Sequence, residues 1–265
     1  MKNDILWSLS PVFPWKGQLQ YFPAVDSTND LLKKWAKADA SHGTAIVAGS
    51  QTGGHGRMGR SFHSPEGMGL YLSVLLRPEC PPADLMHLTC AAAVAACDAV
   101  EAAAGFRPGI KWTNDLVFGK QKLGGILTEM GLSSDGTVDW CIIGIGINCH
   151  QRPEDFPEEI RSIAASLDMV TGKKTNPALL SARLLEALAN MDVILMAEKE
   201  AIMERYRTHC VTIGKEVSVV RGDEIRHGRA LDVDPEGALV VEYDDGTVAS
   251  VNAGEVSIRG MYGYL

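Results

Sequence analysis

The chain has 265 residues, 46% of them hydrophobic, enough to pack one large or two modest domains. Its 25 basic and 33 acidic residues give a net charge of −8, which excludes a general nucleic-acid binder whose affinity comes from neutralising phosphates. Six cysteines (Cys80, Cys90, Cys97, Cys141, Cys149 and Cys210) form no C-x-x-C and no Cys/His pairing at zinc spacing, so no metal site is expected and the thiols read as reduced, as in cytoplasm.

No run reaches the roughly 18 apolar residues of a membrane span, and the N-terminus lacks the basic-then-apolar order of a signal peptide, so a cytoplasmic protein without a membrane partner is expected. In chain order, Asp26-Ser27 offers an N-cap to an amphipathic helix carrying Leu31, Leu32, Trp35 and Ala36, and 44–48 reads as a strand. An apolar strand follows at 70–76, then an Ala-rich helix over 83–104 ended by Gly105, with His87 on its face rather than at a ligand site. The runs 111–117 and 122–129, joined by Gly119-Lys120-Gln121, read as a β-hairpin, and 142–148 as a strand with Gly144 and Gly146 on one face. Residues 151–176 are irregular with a short helix near 160–167, and 177–210 forms one long amphipathic helix. From 215 to 259 five short β-rich runs (217–220, 225–233, 238–243, 248–251, 256–258) alternate with turns, the pattern of a small closed barrel. A boundary near residue 212 gives two domains, 1–212 and 213–265.

Three segments carry chemistry. The decapeptide 51–60 holds four glycines and the arginines Arg57 and Arg60, a combination that binds anions, because glycine lets successive amides face one side and arginine adds forked charged donors. It also satisfies G-x-G-x-x-G at Gly54, Gly56 and Gly59 and approximates a phosphate loop, yet both patterns require a helix directly afterwards. Pro65, Gly67 and Gly69 followed by a strand leave no room for one. In the hairpin, Lys111, Asn114, Asp115 and Lys122 can converge on one ligand across strands about 5 Å apart. Gly144 and Gly146 leave space for something flat.

Together with Asp26-Ser27-Thr28-Asn29, these segments give, in order, D-S-T-N, Q-x-x-G-x-G-R-x-G-R, K-W-x-N-D, K-L-x-G-I-L-x-E and G-x-G-I-N, and from about Tyr21 onward the chain resembles the biotin protein ligase family. The resemblance implies an α+β fold. Its catalytic domain would be a mixed β-sheet flanked by helices, similar to class II aminoacyl-tRNA synthetases, with an SH3-like barrel after it. It implies biotin, ATP and Mg2+ as ligands, a biotinyl-adenylate intermediate, a lysine of a biotin carboxyl carrier protein as acceptor, and the family's habit of homodimers. The roughly 20 residues before Tyr21 are fewer than a winged helix-turn-helix requires, which matches the branch without DNA binding. By the same resemblance Arg57 and Arg60 hold the carboxylate and phosphate, and Lys122 stabilises charge on the attacked phosphate. Asp115 either organises Mg2+ or accepts the proton of the incoming lysine. Ser27, Thr28, Asn29 and Gln51 surround the ureido ring, Phe62 stacks on adenine, and Gly144 and Gly146 form a flat apolar wall. Gly54, His55, Gly56, Lys111, Asn114, Gly124, Gly125 and Asn148 complete the binding set. Two positions depart from the family pattern: His55 replaces an arginine and Thr113 a proline. The alternatives are lipoate or octanoate attachment, which would need a purely apolar slot, and a module that retains the adenylate without turnover, against which Lys122 and Asp115 count.

Overall fold

The structure is a computed structural model and describes residues 1–252 and 257–260. Helix α1 (Lys2–Ser8) and strand β1 (Leu19–Phe22) precede α2 (Thr28–Ala36) and β2 (Ala45–Ala48). The first two were not foreseen, because residues 1–22 carry too short a period to signal either. Helix α2 starts where Ser27 caps it: its Oγ accepts from the Asp30 amide at 3.3 Å, and Asp30 in the first turn suits the helix dipole. Then come β3 (Gly69–Leu76), α3 (Leu88–Ala104), β4 (Gly109–Lys111), β5 (Asp115–Phe118), β6 (Gln121–Leu132) and β7 (Val138–Asn148). The run read as one strand from 111 is thus two strands turning at Trp112-Thr113-Asn114.

These strands form one mixed sheet in the order β1-β2-β3-β7-β6-β5-β4, with β1 and β2 parallel and the other pairs antiparallel. Period-2 alternation divides its two faces. Leu72, Val74, Ile143 and Ile145 join the main core beneath α3, whereas Ile46, Leu75, Trp140 and Ile142 pack against Leu32 and Ala36 of α2. The segment Pro82–Ala104 is long and apolar enough to cross a membrane by length and composition, contrary to the sequence reading. Its burial explains the composition: 72% of its apolar 18-residue window lies inside the protein, where α3 packs between the sheet and α5 (Pro177–Ile194).

Helix α4 (Leu167–Thr171) begins at the Ser166 cap, later than the helix expected near 160–167. The helix expected over 177–210 is two, α5 and α6 (Lys199–His209). His87 meets the chain at the junction. It is fully buried, and its Nε2 donates to the Leu195 carbonyl, the first one past α5, at 3.0 Å. Burial lowers the His87 pKa, consistent with a neutral ring carrying its proton on Nε2.

A second, antiparallel sheet has the order β11-β10-β9-β8-β12, built from β8 (Glu216–Arg221), β9 (Glu224–Val233), β10 (Leu239–Tyr243), β11 (Val248–Val251) and β12 (Ser257–Gly260). Val256, expected to start the last strand, lies outside the described residues. The 111–114 turn bonds to segments flanking the second sheet: the Trp112 indole donates to the Gly237 carbonyl and its amide to Thr212 Oγ1, both at 2.9 Å.

Candidate active site

Cross-strand partners share a sheet face, so the pairs Ser73/Gly144, Tyr71/Gly146, Leu127/Gly144, Gly125/Gly146 and Asp115/Gly125 all lie on the face that carries α2. That face, beyond the N-terminus of α2, is the floor of a cleft. Lys122 would point away in a regular strand, since it is three residues from Gly125. A bulge between Leu116 and Val117 pairs Lys122 with Val117 and restores it to the Asp115 face. The outcome is an ion pair, Lys122 Nζ to Asp115 Oδ1 at 2.5 Å. Gly125 leaves room for it, because a Cβ there would sit 3.2 Å from that Nζ and 3.4 Å from that Oδ1. The Lys122 backbone is fixed from outside by Ile163 O and the Ala165 amide at 2.7 and 2.9 Å.

The glycine loop is a hairpin in its own right. Phe62 N donates to Gly54 O at 2.8 Å, Gly56 N donates to Arg60 O at 2.7 Å, and the tip at Met58 and Gly59 is left-handed. Arg57 Nη1 donates to Asn114 Oδ1 at 3.2 Å, and Asn114 Nδ2 in turn donates to Ile126 O at 2.8 Å, which fastens the loop to the 111–114 turn. From below, the Tyr206 hydroxyl holds Thr113 O at 3.0 Å. Arg57, Arg60, Lys111 and Lys122 line the cleft with Asp115 as the one carboxylate among the described lining residues. Against an acidic chain this is a local cationic site. Lys111 is 7% exposed, and burial pushes its ammonium down to about 8 despite the attraction of Asp115, with Lys122 and Arg60 pushing the same way as burial. Burial also lowers Arg57, which stays charged at working pH.

The opposite wall is a buried polar chain. Ser73 Oγ meets Asn29 Oδ1 at 2.6 Å and Thr28 Oγ1 at 2.7 Å, while Thr28 Oγ1 and the Thr28 amide both donate to Gln51 Oε1, at 3.0 and 2.9 Å. Gln51 Nε2 is anchored on Ser64 Oγ at 3.1 Å. Ser73 and Thr28 own one hydroxyl proton each, so two protons serve three oxygen–oxygen contacts and one contact always lacks a donor. The wall is rich in acceptors and short of donors.

Of the expected residues, Ser27, Thr28, Asn29, Gln51, His55, Gly56, Arg57, Arg60, Phe62, Lys111, Asn114, Asp115, Lys122, Gly125, Gly144 and Gly146 line one cleft. Gly54, Gly124 and Asn148 stand outside the described lining. A Cβ on Gly54 would meet Ser64 Oγ at 2.7 Å and one on Gly124 would meet Gly146 O at 2.4 Å, so both allow close backbone approach. Asn148 holds Ala165 O at 3.0 Å. His55 turns its Nδ1 toward Gly53 O at 3.1 Å, and Asp30 Oδ2 stands 3.8 Å away. The two glycines expected to form a flat apolar wall have side chains lying over them. A Cβ at Gly144 would fall 2.0 Å from Asn29 Oδ1, and one at Gly146 would fall 2.5 Å from the Phe62 ring, so those two side chains cover the glycines. Phe62 also meets Tyr71 edge-on, centroids 6.5 Å apart. Met58, Trp112, Ile126 and Leu127 line the cleft without having been singled out, and Ser73 was missed because one serine in an apolar strand carries no motif. Gly144→Ala should therefore expel Asn29, and an at least tenfold rise in the Michaelis constant for the ring-bearing substrate is expected in steady-state assays.

The fold and this cleft place the chain among the biotin and lipoate ligases: residues 21–148 match the biotin/lipoate A/B protein ligase family and residues 212–259 the biotin protein ligase C-terminal domain. The bifunctional ligase/repressor BirA of Bacillus subtilis is 37% identical over 240 residues, covering 86% of this chain and 70% of that protein. The biotin–[acetyl-CoA-carboxylase] ligase of Mycobacterium tuberculosis is 31% identical over 245 residues, covering 90% and 88%. A biotin protein ligase from Aquifex aeolicus in complex with biotin and ATP superimposes with a TM-score of 0.78 at 31% identity, covering 92% of this chain and 99% of that one. The chain belongs to the biotin protein ligase family.

Proposed function

We propose that the chain is an ATP-dependent biotin–protein ligase that joins biotin to ATP as biotinyl-5′-AMP and then transfers biotin to a lysine of a carboxylase's biotin carboxyl carrier protein. The observation that carries this reading is the pairing, within one cleft, of a cationic wall with a donor-short polar wall. The polar wall complements a ligand with N–H groups, as the ureido ring of biotin has, and leaves a dithiolane ring unmatched.

In the first half-reaction a biotin carboxylate oxygen attacks the α-phosphorus of ATP and pyrophosphate leaves. Two anionic groups must approach, so Arg57, Arg60 and Lys111 bring them together, and Lys122 meets the charge that grows on the phosphoryl oxygens. In the second, a carrier lysine amine attacks the acyl carbon and AMP leaves. Asp115 accepts the proton of the incoming ammonium in this account, with Lys122 holding its carboxylate in place. Mg2+ brought with ATP would supply neutralisation of phosphate charge, and Asp115, the one carboxylate in the described lining, is the residue that would help hold it. Residues 1–212 are read as the catalytic domain, related to the class II aminoacyl-tRNA synthetase fold, and 213–265 as an SH3-like barrel that braces Trp112. The assigned location is cytoplasm, in keeping with six free thiols, and a homodimer is tested by sedimentation with and without biotin and ATP.

Pyrophosphate release from MgATP, measured without carrier, is expected with biotin and not with lipoate or octanoate; release with lipoate alone defeats the reading. Because Lys111 stands near 8, its charge fades as pH rises through that value, and kcat/KM for ATP in this half-reaction should fall with it. Lys111→Arg should flatten the fall, and parallel profiles would remove Lys111 from phosphate binding.

A further inference from the structure

We infer that Glu129 is a positioning residue that holds the Thr28, Asn29 and Gln51 wall in its donor-short state and thereby sets the preference for a ligand with N–H groups. The inference rests on the biotin-ligase reading and goes beyond it, because Glu129 reaches the wall through Asn29. Glu129 pairs with Ile142 and so lies on the cleft face, two residues beyond Leu127, beside the apolar packing of Ile142 and Trp140 under α2. A half-buried carboxylate is costly there unless it is partnered. Lys33 Nζ reaches one of its oxygens at 2.8 Å, and Asn29 Nδ2 donates to the other at 2.9 Å.

An ionised carboxylate only accepts, so Asn29 must turn its Nδ2 toward Glu129 and its Oδ1 toward Ser73. Nδ2 also reaches Leu127 O, but at 3.4 Å, the longer and uncharged contact. Gln51 has no corresponding freedom, since the Thr28 amide already fixes its Oε1. The Asn29 amide is therefore the movable element of the wall, and its two orientations differ in one countable way. As observed, Oδ1 competes for the Ser73 proton and three contacts share two protons. Reversed, Nδ2 would donate to Ser73, Ser73 to Thr28 and Thr28 to Gln51, and every contact would be satisfied without a ligand. Glu129 forbids that reversal. It keeps one acceptor unmatched, ready for an incoming N–H, with Lys33 holding the carboxylate in position.

The test measures, by calorimetry on the full chain, the dissociation constants of biotin and of its bicyclic carbonate analogue, in which oxygen replaces both ring N–H groups. The natural chain should prefer biotin by at least about a hundredfold. Glu129→Gln, whose amide can donate to Asn29 Oδ1 and release the reversal, should narrow that ratio about tenfold. Glu129→Asp, still an acceptor only, should keep most of the preference, and Lys33→Met, which loosens the carboxylate, should narrow the ratio by a smaller factor. A purely structural role would weaken both ligands equally. An unchanged ratio in Glu129→Gln, or in Lys33→Met if the former does not fold, overturns the inference while leaving the ligase reading intact. A natural chain that binds neither compound, or both alike, overturns the reading on which the inference stands.

Discussion

Lys122→Ala is expected to slow biotinyl-adenylate formation by about 10²- to 10³-fold while the chain stays folded, because it removes the donor aimed at charge that develops in the transition state. The substitution also strips Asp115 of the partner it holds at 2.5 Å, leaving a carboxylate close to where the phosphate must come, so part of the loss would be repulsion. Lys122→Ala combined with Asp115→Asn separates the two: recovery in the double variant measures repulsion, and the remainder measures the ammonium. Lys122→Arg should restore little, since a planar fork does not replace a compact ammonium at a strand bulge. Single-turnover pyrophosphate release reads all four proteins, and natural rates in Lys122→Ala would take that residue out of the chemistry.

Arg57→Gly should let the adenylate escape. Arg57 acts twice, as a cation in the cleft and as the strap that ties the glycine hairpin to Asn114 at 3.2 Å. A charge-assisted bond is worth about 1.5 to 3 kcal/mol, so its loss should speed release of the intermediate roughly ten- to a hundredfold. The freed acyl-adenylate would then acylate exposed lysines on any bystander protein. Streptavidin blotting of a mixture of carrier and an unrelated protein would show it, and labelling confined to the carrier would mean that Arg57 does not retain the intermediate.

Much of the site was legible in the chain because its elements are local. The glycine hairpin, the Ser27 cap and the two glycines of β7 each announce themselves within ten residues, and period-2 alternation alone put Gly144 and Gly146 on one face. What escaped depends on contacts between distant segments. The hairpin itself implied that Lys122 and Asp115 converge, but not the bulge that achieves it, without which parity would send Lys122 to the other face. At the break between α5 and α6, the Leu195 carbonyl is bonded by His87, more than a hundred residues away. The glycines signalled space for something flat and close, but not that Asn29 and Phe62 would lie over them. Ser73 and Glu129 matter through the count of protons in a buried chain, and no motif records such a count.

The central claim is that this one cleft activates biotin and delivers it to a carrier lysine, and the mass of the carrier is the direct measure. The protein is incubated with MgATP and a biotin carboxyl carrier domain, with biotin, lipoate or octanoate supplied separately, and the intact carrier is weighed by mass spectrometry. The account predicts a single biotinyl addition on one lysine in the biotin sample, none in the other two, and none with biotin when Lys122→Ala replaces the natural chain over the same time. A lipoyl or octanoyl adduct, or an unmodified carrier in every sample despite bound biotin, would contradict it.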